Sequence, residues 1–217
     1  MRRFRIDALP VLGQTGLLNA DVSHHVLRVT LIPRGSELVI FDGQGSECRA
    51  RLVGVVDGMA QVEALEEPRR VRVAPRVVLV MGLPRKPAWE RILRMGTELG
   101  VTEFLPFVAK RSVARGEHLD RWRRLVDSAS GQCGRSDVPI VHPLSESIEL
   151  PTERLVLSPG AARGPRPAGD VALLIGPEGG LTEEEREGWT PVGLGPNVLR
   201  SDTAAVAALT LYAPPTP

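Results

Sequence analysis

The chain has 217 residues, 42% of them apolar, and its 27 basic and 26 acidic side chains leave a net charge of +1. That composition supports a globular core in one large domain or two small ones; no apolar run reaches the length of a membrane span, and no global basic field advertises nucleic acid. Cys48 and Cys133 are too few for a disulfide framework and lack metal-ligand spacing, so a reducing cytoplasm and no metal are expected. The basic N-terminus, MRRFRIDALP, is not followed by a signal-peptide apolar region. Positive charge is almost all arginine, Lys86 and Lys110 being the only lysines. Guanidinium groups suit phosphate and base contacts, but GC-rich coding produces the same bias and takes the larger share.

In chain order, RRFRI (2–6) reads as a first strand, and DVSHHVLRVTL (21–31), opened by Asp21 as N-cap, as a short helix. ELVIFDGQGSECRARLVGVVDGMAQVEAL (37–65) supplies three strands punctuated by Asp42-Gly43 and Asp57-Gly58. Within it, Cys48, Ala50 and Leu52 alternate with Glu47, Arg49 and Arg51 at the period of a half-buried strand. EEPRRVRVAP (66–75) reads as a linker, which makes residues 1–68 a small β-rich domain. Strands then alternate with helices: RVVLVMGL (76–83), a helix around Trp89 to Leu99, TEFLPFV (102–108), a helix around Leu119 to Ser130, RLVLS (154–158), VALLIG (171–176), a short helix after Thr182, PVGLG (191–195) and a last helix from Asp202. The alternation predicts an α/β domain over 74–217 on a mainly parallel sheet, without internal repeats.

In an open parallel sheet, ligands sit beyond the C-terminal ends of the strands. Ser158-Pro159-Gly160, Gly176-Pro177-Glu178-Gly179-Gly180 and Gly193-Leu194-Gly195 fall there. Two of these bends belong to similar segments, LLIGPEGGLTEEE (173–185) and GLGPNVLRSDTAA (193–205): apolar strand, Gly/Pro-rich bend, polar residue opening a helix. Such bends let a ligand approach the backbone and offer it unpaired N–H donors. Neither GxGxxG nor GxxxxGK[ST] is present. Taken alone, GPEGG is explained about equally by a structural turn before a capped helix, and Thr182 with Glu185 is a capping box of structural purpose. Arg200 stands at the mouth of DTAAVAALTLY (202–212), a helix apolar nearly all round and therefore buried. An arginine there is more often functional or interfacial than merely solvated. His118 and His142, in expected loops, are assigned to solvent.

These residues resemble the RsmE family, which methylates N3 of a uridine in small-subunit (16S) ribosomal RNA with S-adenosylmethionine. The resemblance runs through His24-His25-Val26-Leu27-Arg28-Val29 and Phe41-Asp42-Gly43, then Thr97-Glu98-Leu99-Gly100-Val101, Lys110-Arg111-Ser112-Val113 and Gln132-Cys133-Gly134-Arg135, and finally Leu174–Leu181 and Leu199–Ala204. It implies a PUA-like, β-barrel RNA-binding domain followed by a SPOUT-class methyltransferase domain whose C-terminal trefoil knot forms the cofactor pocket. Such threading breaks the usual rule for protein chains. Three positions depart from the family pattern: Met95 in place of lysine, Gly131 in place of an acid, and Ser201-Asp202 in place of Thr-Glu.

The resemblance also implies site residues. Leu157, Ile175, Leu194 and Leu199 are expected to read the adenine edge through their backbones, Gly176, Gly180 and Gly195 to give clearance, and Ser158, Pro177 and Ser201 to complete the cofactor set. Arg200 and Arg135 are candidates to stabilise the uracil anion, and Glu178 to accept its proton or to orient its loop. Arg2, Arg3, Arg5, His24, Arg28 and Arg34 crowd the first 35 residues, where only Asp7 and Asp21 oppose them, and are expected to meet RNA. A homodimer is expected, acting on 16S RNA or the assembled small subunit. Two other readings remain: a module that kept the fold without activity, and a knot-class methyltransferase acting on another RNA.

Overall fold

A computed structural model of the chain describes residues 1–71, 75–113 and 116–214; residues 72–74 of the expected linker lie outside these. Two compact units form, Met1–Val73 with Asp127–Val138, and Ala74–Val126 with Pro139–Pro217.

The first unit holds β1 (Arg3–Arg5), β2 (Thr15–Leu17), β3 (Glu37–Phe41), β4 (Ser46–Val56), β5 (Met59–Ala64) and β6 (Arg69–Arg70). Their order is β1-β3-β4-β5-β2, with β6 also on β4; β1 runs parallel to β3 and the other pairs are antiparallel. The period-two reading of β4 holds, since Cys48, Ala50 and Leu52 are at most 2% exposed while Arg49 and Arg51 face out. Glu47 departs from it: it is buried and ion-paired with Arg3 and with Arg69. Burial also pushes the Cys48 thiol up to about 11. The expected helix forms as α1 (Ala20–His24) and widens into a π-turn at His25–Val29. Its cap is Asn19, whose side chain accepts from the Val22 N–H at 2.9 Å; Asp21 instead occupies the first turn, where a carboxylate complements the helix dipole.

The second unit is built on β7 (Val77–Gly82), β8 (Glu103–Phe107), β9 (Ile140–Val141), β10 (Glu153–Leu157), β11 (Val171–Ile175) and β12 (Thr190–Val192), all parallel, in the order β12-β10-β11-β7-β8-β9. β7 and β11 are buried at every residue, as continuous apolar runs in a covered parallel sheet should be. The helices are α2 (Lys86–Glu98), α3 (Leu119–Cys133, up to Val126 in this unit) and α4 (Ser201–Tyr212). Trp89 of α2 packs edge-on to Phe104 and Trp122, at centroid distances of 6.1 and 5.7 Å. The helix expected after Thr182 is a single 3-10 turn, Glu184–Arg186, with Gly188 at φ +78 beyond it.

Candidate active site

Loops leaving the C-terminal ends of β10, β11 and β12 enclose a cavity of about 350 Å³, lined entirely by residues of the second unit. Leu157 and Ser158 come from β10 and its end; Ile175, Gly176, Pro177 and Gly180 from β11 and its loop; Leu194, Gly195, Leu199 and Ser201 from the stretch between β12 and the start of α4. The whole set expected around the cofactor is therefore brought together, and Glu178 and Arg200 line the same cavity.

Close chain contacts hold these loops. The Ser158 N–H donates to the Val192 carbonyl at 3.0 Å and the Gly193 N–H to the Ala162 carbonyl at 2.9 Å. A Cβ on Gly193 would run into the Ala161 carbonyl oxygen, so only glycine lets the two segments pass. The Tyr212 hydroxyl, buried at the end of α4, donates to the Gly193 carbonyl at 2.7 Å. In the loop after β11, Pro177 packs over Gly82, where a Cβ would sit 2.5 Å from its Cδ, and Gly179 packs over the Arg111 carbonyl. Gly180 (φ +73) and Gly195 (φ +119) are different: a Cβ there would point into open space. The capping box forms, with the Thr182 N–H donating to Glu185 at 2.8 Å and the Glu185 N–H to the Thr182 hydroxyl at 3.3 Å. Glu185 also accepts from the Lys110 N–H at 2.8 Å, tying this turn to the loop after β8.

The side chains of the site fall into two groups. Arg200 is exposed at the N-cap position of α4 and forms no ion pair with any described residue. Next to it, Asp202 is paired with Arg91 at 2.8 Å, and that hydrogen bond holds its carboxyl below its ordinary range. Glu178 accepts from the Arg85 N–H at 3.3 Å, a contact that orients the loop. Arg135 does not line the cavity; it is buried in the first unit and ion-paired with Asp137. His142 is not a solvated loop residue: it lies between Glu103 and Glu146, at 2.9 and 2.8 Å, with its side chain 13% exposed. Arg186, half-buried on the cavity wall, was not anticipated, because the run Glu183-Glu184-Glu185-Arg186 reads as a solvated helix face.

The arginines expected to meet RNA also separate. Arg3 bonds Glu47 and the Ser136 hydroxyl and lies over the Phe41 ring, 5.7 Å from its centroid. Arg5 pairs with Asp127 at 3.3 Å. Arg2, Arg28 and Arg34 are exposed, and Arg28 lines a second pocket with His24, Val55 and Asp57. Among the described residues, no group of three or more His, Cys, Asp or Glu side chains is placed to hold a metal ion, and no helix is long and apolar enough to cross a membrane.

Comparison with known proteins agrees with this geometry. Residues 72–213 match the family model described as an RNA methyltransferase domain. The chain is 32% identical to the ribosomal RNA small subunit methyltransferase E of Mycobacterium bovis, over 95% of this chain and 88% of that one. Its fold superposes on the crystal structure of the Neisseria gonorrhoeae ribosomal RNA small subunit methyltransferase E bound to S-adenosylmethionine with a TM-score of 0.86, at 30% identity over 97% of this chain and 95% of the other. A Legionella pneumophila structure, described as a methyltransferase in complex with the same cofactor, superposes with a TM-score of 0.83 at 26% identity, over 96% of this chain and 95% of that one. With the family model covering most of its length and relatives aligned nearly end to end, the chain belongs to the ribosomal RNA small subunit methyltransferase E (RsmE) family.

Proposed function

We propose that this protein is an S-adenosylmethionine-dependent methyltransferase acting on N3 of a uridine in small-subunit ribosomal RNA, with the cavity at the ends of β10, β11 and β12 as its cofactor site. The observation that carries the reading is the convergence of three separate loops on that one cavity, at the edge of a parallel sheet where ligands bind. Its residues fit the cofactor. Leu157, Ile175, Leu194 and Leu199 offer apolar walls for a purine, and a volume of about 350 Å³ lies within the range of roughly 300–1,000 Å³ usual for small-molecule sites. Gly180 and Gly195 leave open space beside the backbone.

When bound, the cofactor supplies an electrophilic methyl group on a sulfonium. The chain's part is positioning, exclusion of water and control of one proton. N3 of uracil must lose its proton to become a nucleophile. Arg200, exposed on the wall and without an ion-pair partner among the described residues, stabilises the negative charge that spreads to the uracil oxygens. Glu178 orients its loop through the Arg85 N–H and lines the same cavity, where it can receive the proton. Arg135, engaged with Asp137, serves the first unit rather than the reaction.

The passage of Gly193 against Ala161 supports a trefoil knot in the C-terminal segment, and the residues of the first unit before 69 form the PUA-like RNA-binding domain. RNA is met through Arg2, His24, Arg28 and Arg34, in the cytoplasm. The half-buried Val206, Ala207 and Leu211 of α4, with Val198 82% exposed just before it, support a homodimer. The deciding experiment incubates the protein and labelled cofactor with small ribosomal subunits from a strain lacking its gene, then maps the modified nucleotide. A methylated N3 on one uridine is expected. Label in transfer RNA alone, or cofactor binding with no transfer to any RNA, overturns the proposal.

A further inference from the structure

Among the described residues, three charged ones line the cavity: Glu178, Arg200 and Arg186. The reaction as proposed uses the first two and leaves Arg186 without a task. Arg186 closes the 3-10 turn Glu184–Arg186 and is half-buried. Its Nε–H is shut off from solvent and has no acceptor, and the side chain forms no ion pair with any described residue. Neighbouring acids do not neutralise it: Glu184 is paired with Lys110, and Glu185 accepts from the Thr182 and Lys110 backbones. Leu181, Val192 and Leu194 line the same cavity with apolar side chains. A guanidinium Nε–H shut off from water without an acceptor is unfavourable in the free protein, and a ligand that brings an acceptor removes the deficit.

We propose that Arg186 binds the carboxylate of the amino-acid arm of S-adenosylmethionine. The inference rests on the reading of this cavity as the cofactor site. Of the parts of that cofactor only the carboxylate is anionic; the sulfonium and the ammonium are cations that a guanidinium repels, and the ribose and adenine are neutral. The Nε–H and a terminal N–H of arginine form a planar fork that matches two carboxylate oxygens. Arg200, exposed at the rim, is thereby left for the RNA substrate, so the two arginines divide the two anionic components between them.

The test uses calorimetry on the full chain with two ligands that differ only in this group, S-adenosylmethionine and its decarboxylated form. The wild-type protein should bind the decarboxylated ligand about tenfold or more weakly. Arg186→Met, which keeps an apolar stem against the wall, should lower affinity for S-adenosylmethionine by about the same factor and leave the decarboxylated ligand within about twofold. Arg186→Lys should recover part of the loss. Equal weakening of both ligands in Arg186→Met, or no weakening of either, overturns the assignment. If Arg186→Met fails to fold, the wild-type comparison decides: equal affinity for the two ligands overturns the assignment, and a preference for the carboxylate that Arg186→Lys diminishes supports it. A wild-type protein that binds neither ligand refutes the cofactor reading itself, an outcome distinct from the others.

Discussion

At Gly179 a Cβ would stand 2.5 Å from the Arg111 carbonyl oxygen, whereas at Gly180 it would meet nothing nearer than the Arg111 guanidinium, 4.0 Å away. Two adjacent glycines therefore have different duties, one for packing and one for access. Gly179→Ala should lower the melting temperature, because backbone must shift to admit the methyl group. Gly180→Val should place a side chain in the cavity, at a φ of +73 that a β-branched residue strongly resists. Its cofactor affinity should fall more than about tenfold, roughly 1.4 kcal/mol; unchanged affinity in a folded variant would put the cofactor elsewhere. At Arg200, truncation to Ala should cut turnover by about a hundredfold or more with little change in RNA affinity, and Lys should restore only part. If RNA affinity falls while turnover at saturation is kept, Arg200 is a phosphate anchor.

Among the elements, β4 carries the most informative exception to its own pattern. Glu47 should face solvent by alternation, yet it is buried where Arg3, Arg69 and the Ser136 hydroxyl converge. Burial alone would raise its carboxyl; the hydrogen bonds from Ser136 and Arg3, with the Arg3 charge, outweigh burial and hold it below its ordinary value of 4.5. A depressed carboxyl contributes stability that is present above that ordinary value and is lost as pH falls through the lower folded value. The melting-temperature gap between the wild type and Glu47→Gln should therefore narrow as pH drops from about 6 to about 3. A gap that stays constant would assign the loss to packing rather than to the ion pair. Arg3 is for the same reason a poor probe of RNA binding: its removal takes the closest cation from a buried carboxylate and leaves it only Arg69 and the Ser136 hydroxyl, so the variant loses stability as well as charge. Of the elements of two or three residues, β2, β6 and β9 lacked a readable period, because a strand that short exists by virtue of its partner.

For the molecule as a whole, RNA binding and cofactor binding are predicted to be separable. Reversing Arg28 and Arg34 to Glu should weaken RNA binding and flatten its salt dependence, as fewer counterions are released. Cofactor affinity should stay the same, because every residue lining the cavity belongs to the second unit. Loss of both functions together would mean unfolding or a shared site, and circular dichroism separates those outcomes. Light scattering at micromolar concentration should give twice the chain mass; a monomer with full activity would refute the dimer.

The sequence by itself determined the class of the second unit, the edge of the sheet where its ligand loops gather, and the Thr182–Glu185 cap. Each of these depends on spacing within a few residues: continuous apolar strands alternating with helices, glycine bends at strand ends, and a reciprocal hydrogen bond across three positions. The family motifs added the residues of the cavity wall. Tertiary structure alone decided which charges were spoken for. Arg3 is taken up by Glu47 and by Ser136, 44 and 133 positions away, and Arg5 by Asp127, 122 positions away. Arg186, by contrast, is left with an unpaired donor beside a cavity. Local periodicity is a property of neighbours along the chain, whereas partnership and burial depend on which distant segments fold side by side.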